Sequence, residues 1–247
     1  MTFYDHLHAS PYTWERVGNL LADATAADVE RSLAYRRRTI QDFITLISPA
    51  AIPYLEQMAR QAHALTVERF GLTMQLYIPL YLSNICSNAC VYCGFSRSNK
   101  IHRRRLTAEE VDREAEAILR LRYKHLLLVS GESEKATPAS YYEEMTRRLR
   151  PLFSQLSLEV QPLTTEEYAR LHEAGIGAVY VYQETYNEQA YPTYHPAGRK
   201  ADYRYRLETP DRIGRANMQK IGIGALLGLE NWRVDSVFTA LHLRYLE

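Results

Sequence analysis

Every thiol of the chain lies in one short segment, Cys86, Cys90 and Cys93, spaced C-x3-C-x2-C. An odd number packed this closely cannot form a secreted disulfide framework. Three thiolates from one loop can hold three irons of a [4Fe–4S] cluster, for which cysteine is the usual ligand. No fourth protein ligand is visible nearby, which leaves one iron open to a small molecule and suits chemistry better than plain electron transfer. The alternative is a structural zinc site of the Cys3His kind with His102 as the nearest imidazole, although zinc ligands usually come as separated pairs. Chance clustering of buried cysteines is the blandest reading.

Further polar residues sit at or near the ends of apolar runs. Ser130-Gly131-Glu132 closes HLLLVS; a carboxylate and backbone carbonyls at a strand end suit a cationic amine, and a solvated acid in a turn is the plain alternative. Glu159 stands inside LSLEVQPL, and because acids are rarely buried without a partner it points to a polar interior, an edge-facing acid being the plain alternative. Gln183 and Glu184 end a fourth run and are placed to hydrogen-bond hydroxyls, whereas Tyr182 and Tyr186 read as packing residues. Arg206, beside Tyr203 and Tyr205, can grip a carboxylate through both guanidinium arms or lie on the surface; Arg212 and Arg215 read as helix-face charges. Gly222, Gly224 and Gly228 follow G-x-G-x3-G, one residue too long for a dinucleotide fingerprint. A buried strand whose glycines admit a close-lying adenine fits them better. The basic run Arg97, Lys100 and His102 to Arg105 reads as a solvated loop in preference to a phosphate or nucleic-acid patch.

The elements that must position these residues alternate. Strands are predicted over 74–82, 125–130, 156–163, 178–183 and 223–229, several of them near-continuous apolar runs of the kind covered on both faces. Between them, Thr107–Glu110 and Thr164–Glu167 form capping boxes for two helices, and Gly175 stops the second. Strands alternating with helices imply a parallel α/β sheet, open or closed into a barrel. Residues 1–70 read as a helical N-terminal extension, with Thr25 and Asp28 capping one helix and an apolar-periodic helix from Ile52 to Phe70 ended by Gly71. The last helix runs from Trp232 to Glu247. An eight-unit barrel takes roughly 250 residues and about 175 follow the extension, so 71–247 reads as a barrel lacking about three units, C-terminally truncated.

Composition narrows the class. Of 247 residues 46% are hydrophobic and 24% charged, which is globular and leaves material for a core. A net charge of +1 provides no field to steer the chain to nucleic acid. There is no apolar run of membrane-spanning length and no signal-peptide pattern, so a cytoplasmic protein is expected.

With Tyr92 before the last cysteine, the three-cysteine motif resembles the signature of the radical S-adenosylmethionine (SAM) enzymes. The resemblance extends from about residue 15 to the end, through PLYLSNICSNACVYCGFSRSNKI, HLLLVSGE, LEVQPL, VYVYQETY, RLETPDRIGRA and KIGIGALLGLENWRVD. Within the family it is to the tyrosine lyases of thiamine thiazole synthesis. It implies a partial TIM-type (β/α) barrel, with Cys86, Cys90 and Cys93 binding [4Fe–4S]. Tyr92, Gly131, Glu132, Glu159, Gln183, Glu184 and Arg206 are then expected around SAM. Of these, Glu132 would meet its ammonium, Gln183 and Glu184 its ribose, and Arg206 its carboxylate. Ser130 replaces the first glycine of the family's GGE motif. The implied reaction cleaves the Cα–Cβ bond of L-tyrosine to 2-iminoacetate and p-cresol by means of a 5′-deoxyadenosyl radical. The implied partners are thiazole synthase and an electron donor such as flavodoxin or ferredoxin. The rivals are the related tyrosine lyase of [FeFe]-hydrogenase maturation and, outside enzymes, a zinc-binding interaction domain.

Overall fold

The structure, a computed structural model, describes residues 2–247. Helices α1 (Phe3–Ala9), α2 (Trp14–Asp23), α3 (Ala26–Ala34), α4 (Ile40–Leu46) and α5 (Leu55–Phe70) come first. The alternating part follows: β1 (Ile78–Ser83), α6 (Ala108–Arg120), β2 (His125–Ser130), α7 (Ala139–Leu149), β3 (Gln155–Glu159), α8 (Thr165–Ala174) and β4 (Ile176–Tyr180). Short helices α9 (Tyr191–Tyr194), α10 (Tyr203–Leu207) and α11 (Thr209–Arg215) lead to β5 (Lys220–Gly222) and α12 (Trp232–Leu246). Among the described residues no helix is long and apolar enough to cross a membrane.

The strands form one parallel sheet in the order β1-β2-β3-β4-β5. Each strand therefore lies beside its predecessor and the order never reverses, which is the progression of a (β/α) barrel and not of a doubly wound sheet. Helices α6, α7, α8 and α11 cover the sheet, and Leu126, Leu128, Leu156 and Leu158 meet Tyr142, Met145, Leu149 and Leu171 in the main core. The capping boxes at Thr25, Thr107 and Thr164 are all formed, and Gly175 ends α8 at φ +125°. A second cluster packs Phe3, Val17, Leu21 and Ile44 of the first helices against Val234, Val237 and Phe238 of α12 and against Tyr186 and Tyr203.

Every predicted strand but β2 differs in extent, β4 running from Ile176 to Tyr180 in place of 178–183. The first strand begins at Ile78, where pairing with Leu126 starts, and the upstream apolar residues stay in solvent, Leu72 at 91% exposure. β3 stops before Pro162, which has no N–H to give to a ladder. The fifth strand occupies 220–222 instead of 223–229. A Cβ at Gly222 would collide with the ring of Tyr180, and one at Gly224 would lie 3.3 Å from the ring of Tyr182. These glycines thus lie against the rings of Tyr180, at the end of β4, and Tyr182, just beyond it. Helix α5 ends at Gly71 as predicted but starts at Leu55 and not at Ile52, which lies in a 3-10 turn; none of its side chains is buried, and Leu55, Leu65 and Phe70 face solvent.

Candidate active site

Beyond Ser83 the chain leaves the sheet, runs through the three cysteines and returns beside Ser83 at Arg105. The loop is fastened to two neighbours on the strand-end face. Ser87 N–H donates to the Glu132 carbonyl (2.9 Å), and Ala89 and Val91 N–H donate to the carbonyls of Ala197 (2.9 Å) and Tyr194 (3.1 Å). Cys86, Cys90 and Cys93 are free thiols lining one cavity of about 260 Å³. Burial pushes the Cys90 thiol up to about 11, so a bound metal must displace its proton, as coordinated thiolates do.

Two largely buried acid–cation pairs line the same cavity. Glu132 accepts from Arg206 Nη1 at 2.8 Å and from Asn88 Nδ2 at 2.7 Å, while Arg206 Nε holds the Tyr182 carbonyl at 2.7 Å. Burial alone would raise the Glu132 carboxyl; the Arg206 guanidinium, then Lys200 and the Asn88 hydrogen bond, reverse this and keep it below the usual range. Glu184, held at φ +71°, accepts from Lys200 Nζ at 2.7 Å. A residue with a Cβ pays strain for that backbone, an expense met at functional sites. The Lys200 ammonium also lies 5.7 Å from the centre of the Tyr92 ring, and its backbone N–H donates to Asn88 Oδ1 at 3.0 Å. Glu159 lines the same cavity with its carboxyl raised, first by burial and then by Glu184.

Tyr92 is fixed by a histidine. Its hydroxyl lies 2.8 Å from His195 Nε2, and His195 Nδ1 lies 3.1 Å from the Tyr191 carbonyl. A carbonyl only accepts, so Nδ1 carries the proton and Nε2 accepts from the phenol. Burial, then Lys200, lowers His195 to about 4, so the ring is neutral at physiological pH.

All of the sequence-predicted site residues except Gln183 line this cavity. Gln183 is buried outside it, and neither of its amide atoms finds a partner among the described residues. Tyr182, expected to pack, faces the cavity, whereas Tyr186 does pack. Gly131 is required by close approach, since a Cβ there would lie 2.6 Å from the Ile85 carbonyl oxygen. The Ser130 hydroxyl turns away to Tyr142 in the core, 2.5 Å off. Arg212 is no loose helix-face charge: it lies 4.0 Å from the centre of the Tyr205 ring and holds the carbonyls of Leu163 and Tyr205. Nor is the basic run merely solvated, because Arg103 turns inward onto four carbonyls of the cysteine loop. Asn88, Lys200 and His195 escaped the sequence; only Asn88, standing between two cysteines, carried a usable signal.

The donor set fits an iron–sulfur cluster. Among the described residues no three His, Cys, Asp or Glu side chains converge as ligands of a single ion would. Zinc needs its sulfurs about 2.3 Å from one point, whereas a cluster gives each thiolate its own iron. His102, the imidazole a zinc site would need, is exposed.

Comparison with known proteins agrees with this chemistry. The family model of the Radical SAM superfamily matches residues 80–240. A 2-iminoacetate synthase of Escherichia coli (strain K12) is 49% identical over 235 residues, covering 95% of this chain and 62% of that protein. The crystal structure of HydG, a maturase of the [FeFe]-hydrogenase, superposes with a TM-score of 0.88 at 30% identity, covering 94% of this chain and 54% of that one. Methylornithine synthase (PylB), 21% identical, shares the fold with a TM-score of 0.72, over 89% of this chain and 64% of that one. The chain thus spans less than two thirds of the length of each. The family match covers most of the sheet and the whole cysteine loop, and the chain belongs to the radical SAM superfamily, whose members work with a [4Fe–4S] cluster and S-adenosylmethionine.

Proposed function

We propose that this chain carries the cluster- and SAM-binding part of a tyrosine lyase, which cleaves the Cα–Cβ bond of L-tyrosine to 2-iminoacetate and p-cresol for thiazole synthesis. The observation that carries the reading is the shared cavity, lined by three free cysteines and by two largely buried acid–cation pairs. Identity of 49% over 95% of the chain to a 2-iminoacetate synthase, against 30% to HydG, favours thiazole synthesis over hydrogenase maturation.

Cys86, Cys90 and Cys93 hold the cluster. When bound, the cluster and SAM supply a carbon-centred radical able to abstract hydrogen from an unactivated position. Glu132 and Arg206 already match the ammonium and carboxylate of an amino acid, one charge each, and take SAM by exchanging their mutual contact for the ligand's groups. Glu184 receives ribose hydroxyls, Tyr92 and Gly131 bound the pocket, and Glu159 completes its polar surroundings, while Gln183 lies outside it. His195, neutral and of one tautomer, holds the Tyr92 phenol still without adding charge beside the cysteines. The walls keep water from a reactive imine product. The reading brings with it an electron donor such as flavodoxin or ferredoxin and transfer of the imine to thiazole synthase.

The test is anaerobic incubation of the reconstituted protein with reductant, SAM and L-tyrosine. Formation of p-cresol together with 5′-deoxyadenosine is expected. SAM cleavage that leaves tyrosine intact would remove the tyrosine assignment and leave the superfamily chemistry.

A further inference from the structure

We propose that Arg103 is the positioning residue that shapes the cysteine loop to receive its cluster. The proposal rests on Cys86, Cys90 and Cys93 being the cluster ligands.

The base of the loop is closed by Asn84, whose Nδ2 donates to the His102 carbonyl at 2.7 Å and whose Oδ1 accepts from Arg104 N–H at 2.8 Å. From this closed base the Arg103 side chain reaches back into the loop. Nη1 donates to the carbonyls of Asn84 (2.7 Å) and Phe95 (2.8 Å), and Nη2 donates to those of Ser96 (2.6 Å) and Asn99 (3.1 Å). Four carbonyls turned toward one point repel one another until a cation lies between them. A guanidinium provides a rigid planar fork of donors for such a set, which an ammonium does not.

The two halves of the loop differ in what else holds them. Around Cys86 and Cys90, backbone bonds run outward from Ser87, Ala89 and Val91 to the segments beyond β2 and β4. The turn that carries Cys93 is bonded mostly to itself, through Ser96 N–H to the Cys93 carbonyl (3.0 Å) and Asn99 Nδ2 to the carbonyls of Cys93 and Gly94 (3.1 Å each). Its backbone ties outside itself are two, both to the other half of the loop: Arg97 N–H to the Asn88 carbonyl at 2.8 Å and a longer one from Cys93 N–H to the Cys90 carbonyl at 3.4 Å. Arg103 therefore joins the Cys93 turn to the end of β1, fixing the third thiol relative to the other two before metal arrives. The adjacent arginines serve elsewhere: Arg104 pairs with Glu110, and Arg105 lies over the Tyr141 ring and holds the Ala136 carbonyl.

The experiment compares wild type, Arg103→Ala, Arg103→Lys and Arg104→Ala, each reconstituted anaerobically with iron and sulfide. Cluster release to a strong chelator is followed by the loss of visible absorbance. Residues supporting metal ligands typically change metal retention about 10–100-fold, so Arg103→Ala is expected to release its cluster that much faster. Arg103→Lys should fall between, and Arg104→Ala should match wild type. Hydrogen exchange on the cluster-free proteins gives the independent readout: Arg103→Ala should lose protection over residues 93–99 while β2 and β3 keep theirs. Wild-type release rates and wild-type protection of 93–99 in Arg103→Ala would overturn the proposal. Wild-type protein that takes up no iron and sulfide would strike the cluster assignment together with it. Uptake by wild type and equal retention by the variant would strike Arg103 alone.

Discussion

Two buried polar networks flank the end of β4 and share one stretch of backbone. On the cavity side Glu184 pairs with Lys200 and, nearby, Glu132 with Arg206. On the other side Asp235 of α12 accepts from Tyr186 N–H (2.7 Å) and the Thr185 hydroxyl (3.1 Å), and His242 Nδ1 lies 3.1 Å from the Tyr186 hydroxyl. The first network sets each of these carboxylates against a cation. In the second, burial raises Asp235 to about 6 and lowers His242 to about 3, with the His242 ring stacked on Phe3 at 3.8 Å. A paired network stays charged and can exchange its internal partners for the charged groups of a ligand. An unpaired one moves toward neutrality and serves to dock a helix on a strand end. The contrast separates a site from a scaffold within a few residues of chain.

The largest expected effect falls on the charged side. Cys90→Ala should abolish SAM cleavage and leave iron and sulfide well below one cluster per chain, by elemental analysis after reconstitution. Wild-type cleavage by that variant would end the distinction. Next comes Glu132→Ala, which strands a buried guanidinium. Removing one partner of a buried pair costs about 3–5 kcal/mol, so urea unfolding should shift accordingly, and SAM affinity should fall with it. An unchanged midpoint would mean that Arg206 finds another acceptor.

The neutral side answers to pH. The Asp235 carboxyl titrates near 6 when folded against an ordinary 3.8. Its contribution to stability is full below the ordinary value and is lost as pH rises through 6. Two pKa units correspond to on the order of 2–3 kcal/mol. Buried His195 and His242 act in the opposite sense, their contribution present above 6.5 and lost as pH falls toward about 4 and about 3. Asp235→Asn isolates the first term: relative to wild type it should gain on the order of 2 kcal/mol between about pH 4 and about pH 7.5 in urea titrations. A pH-independent difference would contradict the assignment. The smallest effect is local: Thr107→Ala removes the α6 cap and should cost about 1 kcal/mol in the same assay, with cluster content unchanged.

What the sequence discloses about this molecule follows the range of the forces involved. The boxes at Thr25, Thr107 and Thr164 are legible because each closes within four residues, and β2 is legible to the residue because both its ends are marked. The ends of β1 and β5 depend on where a neighbouring strand begins and on tyrosine rings that fill the space beside Gly222 and Gly224. Within the site, the cysteines and the acids at strand ends declare themselves by type and place. Lys200 and His195 enter only because the segment after β4 folds back over the cysteine loop, and no local pattern records that. Gln183 is the instructive case. Side chains alternate along extended chain, Tyr180, Tyr182 and Glu184 all line the cavity, and the residue between the last two must therefore face the other way. That parity was already in the sequence and argued for Tyr182 over Gln183.

The proposed role of Cys86, Cys90 and Cys93 as ligands of one [4Fe–4S] cluster underlies all of these expectations. The decisive measurement is iron and sulfide content of the anaerobically reconstituted chain, together with the electron paramagnetic resonance spectrum of the reduced protein before and after SAM is added. Iron and sulfide are expected in equal amounts, with a reduced [4Fe–4S] signal that changes when SAM binds and loss of both in the triple alanine variant. Tightly held zinc without sulfide, or a signal indifferent to SAM, would contradict that role.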